Sequence, residues 1–242
     1  MECIFPDWPV PAHVRAAVTT RAGGVSVGPY ASLNLGDHVG DEPAAVVENR
    51  ARLVQVLRLP AEPRWLKQVH GTCALDAAAA IGGCEADAAF TALPGVVCAV
   101  LTADCLPVLF CDRAGTRVAA AHAGWRGLAA GVLERTMDTL GTAPADVLAW
   151  LGPAIGPQAF QVGEEVRTAF VSQDQAAATA FRPHGEGRWL ADLYALARLR
   201  LSRHGVAAVY GGGLCTFSDP ARFFSYRRDG ATGRMASLIW LD

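Results

Sequence analysis

The chain has 242 residues, a net charge of −2, 52% hydrophobic residues and 18% charged residues. This composition supports a packed core and excludes a disordered chain. The near-zero charge removes any general electrostatic attraction to nucleic acid or to an acidic membrane surface. The length fits one large domain, so we predict a single domain over residues 1–242.

Membrane and export signals are not expected in this sequence. The uncharged run at residues 88–103 contains a proline and a glycine and is shorter than the roughly 20 apolar residues of a bilayer-spanning helix. The N-terminal segment has no basic region followed by an apolar one, as a secretory signal would. Seven cysteines without a CxxC pair indicate reduced thiols. We therefore expect a cytoplasmic protein.

The apolar patterns predict alternating strands and helices along the chain. The first half gives a strand at residues 14–20, an amphipathic helix at 43–58, and strands at 95–101, 106–111 and 117–121. The second half gives a helix at 128–140, a strand at 147–151, a helix or loop at 175–180, a helix at 193–204, and strands at 206–210 and 237–241. Because some strands follow one another directly, a mixed-sheet α/β or α+β sandwich is favoured over a regular doubly wound fold.

Three predicted loops each carry one side chain that can ligate a soft or borderline metal. These side chains are His70, Cys105 and His122, separated by 35 and 17 residues, which does not match a zinc-finger spacing. Three ligands from separate loops are typical of a catalytic zinc with an open fourth position. The same residues also fit a Cys105 nucleophile with His122 or His70 as its base. Simple burial of the cysteine and turn positions for the histidines is the third interpretation.

The basic residues indicate where an anion could bind. Arg21, Arg126 and Arg227 lie in turns with glycine or tyrosine, where a guanidinium can hold phosphate with two hydrogen bonds or form a surface ion pair. The single lysine, Lys67, is not part of a GxxxxGK[ST] phosphate loop, and no GxGxxG follows a predicted strand. These absences argue against a P-loop enzyme and against dinucleotide binding.

The whole chain resembles the YfiH/laccase-domain family, also called the polyphenol oxidase or purine nucleoside phosphorylase family. The resemblance runs from about residue 19 to residue 241 and rests most on the ordered blocks QVHG, TADC and AHAGWRG. Further matching runs are TTRAGGVS, SLNLGDHVGD, LGPAIGP and FFSYRRDGATGRMASLIWL. The resemblance implies a mixed-sheet α/β/β/α sandwich of the YfiH-like, cysteine-hydrolase-like type, in a chain that is usually a monomer.

The resemblance also implies a metal site and a reaction. In the family, the residues that correspond to His70, Cys105 and His122 bind zinc in a surface cleft. The implied activity is phosphorolysis of adenosine, inosine, guanosine and S-methyl-5′-thioadenosine, with adenosine deaminase activity as well. The implied partners are a purine nucleoside and phosphate. For the phosphate, Arg21 is the first candidate clamp with Asn34 as its polar partner, and Arg126 and Arg227 complete the predicted substrate contacts.

The acid or base of the reaction is left open among three carboxylates. Nucleobase deaminases of the H-x-E type carry a glutamate two residues after the ligating histidine, where this chain has Thr72. Asp104, Glu85 and Asp87 are the nearby candidates, and Asp104 is predicted to be catalytic.

Two other activities remain alternatives. A copper-dependent polyphenol oxidase is disfavoured, since four further histidines without an HxH pair cannot build a multi-copper cluster. A single blue-copper site would use the same His₂Cys set with Met1, Met137 or Met235 as a weak axial ligand. The other alternative is an amide hydrolase that edits peptidoglycan precursors and uses Cys105 as its nucleophile.

Overall fold

The computed structural model describes residues 1–80 and 83–242. In these residues the strands are β1 (Cys3–Ile4), β2 (Val14–Thr19), β3 (Ala74–Asp76), β4 (Ala88–Thr91), β5 (Val97–Thr102), β6 (Leu106–Asp112), β7 (Val118–Ala123), β8 (Val147–Leu151), β9 (Gln161–Gly163), β10 (Phe181–Pro183), β11 (Arg188–Ala191), β12 (Ala208–Gly211) and β13 (Met235–Leu241). The α-helices are α1 (Pro43–Leu57), α2 (Trp125–Ala130), α3 (Val132–Leu140), α4 (Glu164–Val171), α5 (Leu193–Arg203) and α6 (Tyr226–Asp229).

Two larger sheets and one small one organise these strands. The four-stranded sheet has the order β1-β2-β13-β5, and the six-stranded sheet has the order β12-β8-β6-β7-β4-β3. The β12–β8 and β3–β4 pairs are parallel and the other pairs of the six-stranded sheet are antiparallel, so this sheet is mixed. A three-stranded antiparallel sheet, β10-β11-β9, lies apart from them.

The side chains of each central strand alternate between two apolar layers. In β5, Cys98 and Val100 pack between the two larger sheets, whereas Val97 and Ala99 pack in the cluster that includes residues of α1. In β6, Leu109 packs between the sheets. Its neighbours Val108 and Phe110 pack toward α2, α3 and α5. A strand buried on both faces carries apolar residues at every position. The order of layers is therefore α1, four-stranded sheet, six-stranded sheet, helices, which confirms the predicted mixed-sheet α/β/β/α sandwich.

Most predicted elements are confirmed, with changes at the ends. The helix predicted at 128–140 is two helices, α2 and α3, which meet at Gly131 with φ +100°. This left-handed conformation suits glycine and ends the first helix. The strand predicted at 206–210 is displaced to β12, and residues 175–180 form a 3₁₀-helix. The uncharged run at 88–103 forms β4 and β5, and none of the described helices is long and apolar enough to cross a bilayer.

Candidate metal centre

The β6–β7 pair brings two of the predicted ligands together. Cys105 directly precedes β6, and His122 lies in β7 opposite Pro107. On the other side of β7, strand β4 begins one residue after Asp87, and the backbone N–H of His122 donates to the Asp87 carbonyl at 2.7 Å. The loop that carries His70 is fastened to the same Asp87 by hydrogen bonds. The β6–β7 pair and the neighbouring strand β4 thus place all three loops at the same end of the central strands of the six-stranded sheet.

The donor atoms of His70, Cys105 and His122 converge on one point. They lie within 4.8 Å of one another, and Cys105 Sγ is 3.8 Å from His70 Nε2. Bonds of 2.3 Å to sulfur and about 2.05 Å to nitrogen in a tetrahedral site would place these two atoms about 3.6 Å apart. Two imidazoles and one thiolate also form a ligand set that zinc accepts while keeping a fourth position open. The residues present therefore fit a zinc ion.

Asp87 holds both histidine ligands. Its side chain is 0% exposed, and Oδ1 accepts from His122 Nδ1 at 2.8 Å. The backbone N–H groups of Val69, His70 and Gly71 donate to the same carboxylate at 3.2, 2.9 and 2.6 Å. A carboxylate on the outer nitrogen of a ligating histidine fixes the tautomer and leaves Nε2 for the metal. Asp87 is one of the three candidates for an acid or base, but these contacts favour a positioning role.

Charges within the cluster favour the ligating form of Cys105. Burial raises the pKa of the thiol, but His122 and His70 outweigh burial and lower this pKa to about 6. Burial lowers the pKa of His122, while Cys105 and Asp87 raise it to about 9. A thiolate and an imidazolium therefore stabilise each other here, and the thiolate is the form of cysteine that binds metal.

The backbone around the ligands depends on close approach and on left-handed conformations. A Cβ at Gly124 would lie 2.7 Å from His70 Cδ2 and 3.0 Å from Cys105 Sγ, so the AHAGWRG block needs glycine there. His70 has φ +61° and Asp104 has φ +91°, which non-glycine residues adopt at a cost. Both residues are held by hydrogen bonds, through Asp87 for His70 and through its own carboxylate for Asp104.

Asp104 connects the Cys105 loop to the opposite side of the cleft. Its Oδ1 accepts from the Thr216 hydroxyl at 2.6 Å, and its Oδ2 accepts from the backbone N–H of Arg227 at 2.7 Å. The predicted catalytic role of Asp104 would need a carboxylate oxygen that is available to substrate. These contacts instead favour a positioning role that fixes α6 relative to Cys105.

Two substitutions at Asp104 separate these roles. We expect Asp104→Asn to keep metal content and turnover within about threefold, because its amide can donate to the Thr216 oxygen while its carbonyl accepts from Arg227. Asp104→Ala leaves two donors without an acceptor, at about 1–3 kcal/mol each, and should lose most activity. Metal analysis and steady-state rates measure both variants. Loss of turnover in Asp104→Asn with full metal content would instead identify Asp104 as the acid or base.

Two of the three candidate ligands, His70 and Cys105, line a cleft of about 240 Å³ with aromatic and basic walls, and His122 is buried behind them. Trp125, Phe160 and Tyr226 supply the aromatic surface, and the predicted substrate residues Arg126 and Arg227 lie beside them. The Arg126 guanidinium stacks 4.5 Å from the Trp125 ring centroid, and the Arg227 guanidinium 5.3 Å from that of Phe160. Aromatic faces suit a purine base, and guanidiniums suit an oxyanion.

The structure does not bring Arg21 and Asn34 into the lining of this cleft. The Arg21 guanidinium donates to the carbonyls of Ala31 and Pro220 and stacks on Phe224. Asn34 is 0% exposed, and its amide donates to Gly36 and to an Asp41 carboxylate oxygen. The hydrogen bonds of both side chains go to protein groups away from the cleft, which favours a structural role over the predicted substrate contacts.

A larger cleft, of about 750 Å³, lies beside α1 and contains none of the three ligands. Lys67 lines it and forms an exposed ion pair with Glu85 at 2.8 Å. Lys67 therefore forms a surface ion pair. Glu85 is its partner and does not line the smaller cleft, so Glu85 is not favoured as an acid or base at the candidate metal centre. The smaller cleft is therefore the candidate active site.

Comparisons with known proteins agree with the motifs. The family described as multi-copper polyphenol oxidoreductase laccase matches residues 15–242. A protein of Pseudomonas aeruginosa named purine nucleoside phosphorylase is 62% identical over 99% of this chain and 98% of its own. The purine nucleoside phosphorylase YfiH of Escherichia coli is 57% identical over 98% of each chain.

Solved structures show the same fold. A Neisseria meningitidis protein of the DUF152 family is 58% identical over 100% of both chains, with a TM-score of 0.97. YlmD from Geobacillus stearothermophilus is 34% identical over 95% of this chain and 92% of its own, with a TM-score of 0.84. On the extent of the family match and these identities, the chain belongs to the YfiH/laccase-domain family.

Proposed function

We propose that the chain is a zinc-dependent purine nucleoside phosphorylase. It would convert adenosine, inosine, guanosine or S-methyl-5′-thioadenosine and phosphate into the base and the sugar 1-phosphate, with adenosine deamination as a side activity. The observation that carries this proposal is one cleft in which His70 and Cys105, grouped with the buried His122, adjoin aromatic walls and two guanidiniums. The names of the close relatives support the same activity.

Phosphorolysis asks the protein mainly to place two substrates and stabilise charge. A phosphate oxygen forms a bond to C1′ of the ribose as the C1′–N9 bond to the purine breaks, and the proton of HPO₄²⁻ passes to the departing base. Arg126 and Arg227 can offset the phosphate charge as it approaches the sugar. Trp125 and Phe160 can hold the planar base and exclude water. Because phosphate itself supplies the proton that the departing base takes up, the reaction needs no acidic side chain. This agrees with a cleft whose carboxylate, Asp104, already accepts two hydrogen bonds.

The metal supplies Lewis acidity beside these residues. Zinc held by His70, Cys105 and His122 would polarise a substrate oxygen or acidify bound water. The same three residues could hold a single copper, but the contacts of the three methionines do not favour the weak axial role of a blue-copper site. Met1 packs against the apolar cluster that includes residues of α1. Met137 is buried in the apolar core around α3, and the Met235 sulfur accepts from the backbone N–H of Phe224. The donor set therefore supports zinc over copper.

Incubating adenosine with and without phosphate tests the activity directly. We expect adenine and ribose 1-phosphate only when phosphate is present, with equal molar amounts of the two products. Deamination would release inosine and ammonia whether or not phosphate is added. Chromatography of the bases and an enzymatic assay of the sugar phosphate measure these outcomes. Absence of free base in both conditions would exclude the phosphorylase.

One observation favours a second activity, amide hydrolysis through Cys105. Cys105, His122 and Asp87 are arranged as a nucleophile, its base and the group that orients the base. This activity would cut an amide of a muramyl peptide and would persist in protein stripped of metal, because the nucleophile would then be free. If the metal-loaded protein carries out phosphorolysis and neither it nor the metal-free protein cuts the amide, amide hydrolysis through Cys105 is excluded.

A further inference from the structure

Arg234 is a half-buried guanidinium beside the metal centre that the motifs did not single out. Strand β13 pairs with β5 so that Met235 is opposite Thr102. In this antiparallel register, Arg234 is opposite Ala103, at the turn that leads to Cys105. Ala103 itself lines the candidate active site. The sheet therefore delivers Arg234 to the site from the strand next to the Cys105 loop.

Arg234 is fixed in place by the loop that contains Asn34. Its backbone N–H donates to Asn34 Oδ1 at 2.9 Å, and its carbonyl accepts from Leu35 N–H at 3.2 Å. A Cβ at Gly36 would lie 2.8 Å from Arg234 Cγ, so the glycine makes room for the aliphatic stem. Asn34, predicted to contact substrate, instead positions this arginine.

The guanidinium of Arg234 lies near Tyr226, at the margin of the cleft. Its centre is 5.9 Å from the centroid of the Tyr226 ring, which lines the cleft and is 62% exposed. Nη1 donates to the carbonyls of Thr232 and Gly233. Within residues 1–80 and 83–242, no carboxylate forms an ion pair with Arg234. A sheltered cation without a counter-ion has the chemistry of an anion site.

Whereas Arg234 is half-buried, Arg227, the residue after Tyr226, is exposed and lines the cleft. Nη1 donates to the Gln161 carbonyl at 2.7 Å, and within the described chain the guanidinium has no carboxylate partner either. Burial lowers the pKa of Arg234, and the charges of Cys105 and Asp104 act in the opposite direction. Both arginines therefore adjoin Tyr226, Arg227 as its neighbour in the chain and Arg234 through its guanidinium.

We propose that Arg234 and Arg227 form the phosphate subsite of the cleft, on its Tyr226 side. This assignment rests on the proposed phosphorolysis for its substrate, and its chemistry is that of a tetrahedral oxyanion held by two guanidiniums. The same subsite would receive free phosphate in the forward reaction and the phosphate group of ribose 1-phosphate in the reverse one. Trp125 and Phe160, which also line the cleft, are left for the purine base, and Phe160 lies beside the Arg227 guanidinium.

Titration of the metal-loaded protein with inorganic phosphate, without nucleoside, tests the subsite. We expect Arg234→Gln to weaken phosphate binding about tenfold to hundredfold, the effect of losing a charged hydrogen bond. The phosphate affinity of Arg234→Lys should lie between those of this variant and the wild type. Lysine keeps the positive charge but cannot donate the two parallel hydrogen bonds of a guanidinium. The exposed Arg135 of α3, which makes no cleft contact, provides the charge-matched control Arg135→Gln. Ribose 1-phosphate titrated into the same variants should show the same order.

Kinetics separate this assignment from the proposed function. Arg234→Gln should raise the KM for phosphate by a similar factor, with the KM for adenosine within about twofold and metal content unchanged. If the wild type does not cleave adenosine, the proposed phosphorylase activity is wrong, but the phosphate titration still tests whether Arg234 binds phosphate. Equal phosphate affinity in Arg234→Gln, Arg135→Gln and the wild type would overturn the subsite, as would absence of phosphate binding to the wild type. Arg234→Lys, with its charge retained, keeps the comparison valid if the glutamine variant does not fold.

Discussion

Replacing Cys105 with alanine is expected to remove the bound metal and to lower the phosphorolysis rate at least about a thousandfold. The thiolate is the one sulfur donor among the three ligands, and its pKa of about 6 keeps it in the ligating form at neutral pH. A metal typically supplies several kcal/mol of charge stabilisation, and about 4 kcal/mol corresponds to a thousandfold in rate. Elemental analysis of protein purified without added metal, together with the rate, measures both effects.

The control for this substitution is Cys73→Ala. Cys73 is an exposed free thiol that follows the His70 loop but does not belong to the ligand trio. This variant should retain about one zinc per chain and the wild-type rate, whereas His70→Ala should behave like Cys105→Ala. Copper in the purified protein, with a visible band from thiolate to copper, would contradict the zinc assignment and support the oxidase.

The convergence of His70, Cys105 and His122 could be predicted from sequence because local structure brings two of them together. Cys105 and His122 flank the β6–β7 pair, whose strands are evident as apolar runs in the sequence. His70 enters through a loop, and its part in the site was supported by the ordered family motifs. The continuous apolar runs likewise predicted buried strands, since a strand buried on both faces has no polar side. The α/β/β/α layering itself was implied by the family resemblance.

The positioning residues could not be predicted because they depend on pairings between distant segments. Asp87 reaches His122 across the β4–β7 pair, and Arg234 reaches the Cys105 loop through β13 and β5. Neither register follows from the pattern of either strand alone. Arg21 and Asn34 misled for the converse reason. A glycine-rich loop with polar residues resembles a ligand loop until its internal hydrogen bonds are known.

Asp87→Asn is expected to weaken metal binding about tenfold to hundredfold, the usual effect of removing a partner from the outer nitrogen of a ligating histidine. Four N–H groups donate to the Asp87 carboxylate, and an asparagine can accept at one oxygen only. The NH₂ group of the asparagine would face N–H groups that also donate, and these would lose their acceptor. His122 and the His70 loop would therefore lose their fixed orientation. Competition with a zinc-binding dye measures the metal affinity, and thermal unfolding measures the accompanying loss of stability.

Asp112→Asn is the matched control, because it separates loss of metal affinity from general destabilisation. Asp112 is also buried, and it accepts hydrogen bonds from the backbone N–H groups of Thr116 and Arg117. It ends β6, whereas Cys105 precedes the start of the same strand, so roughly 20 Å separate it from the metal centre. Both variants should lose about 1–3 kcal/mol of stability, but only Asp87→Asn should change metal affinity. Equal metal affinity in the two variants would show that Asp87 supports the fold alone.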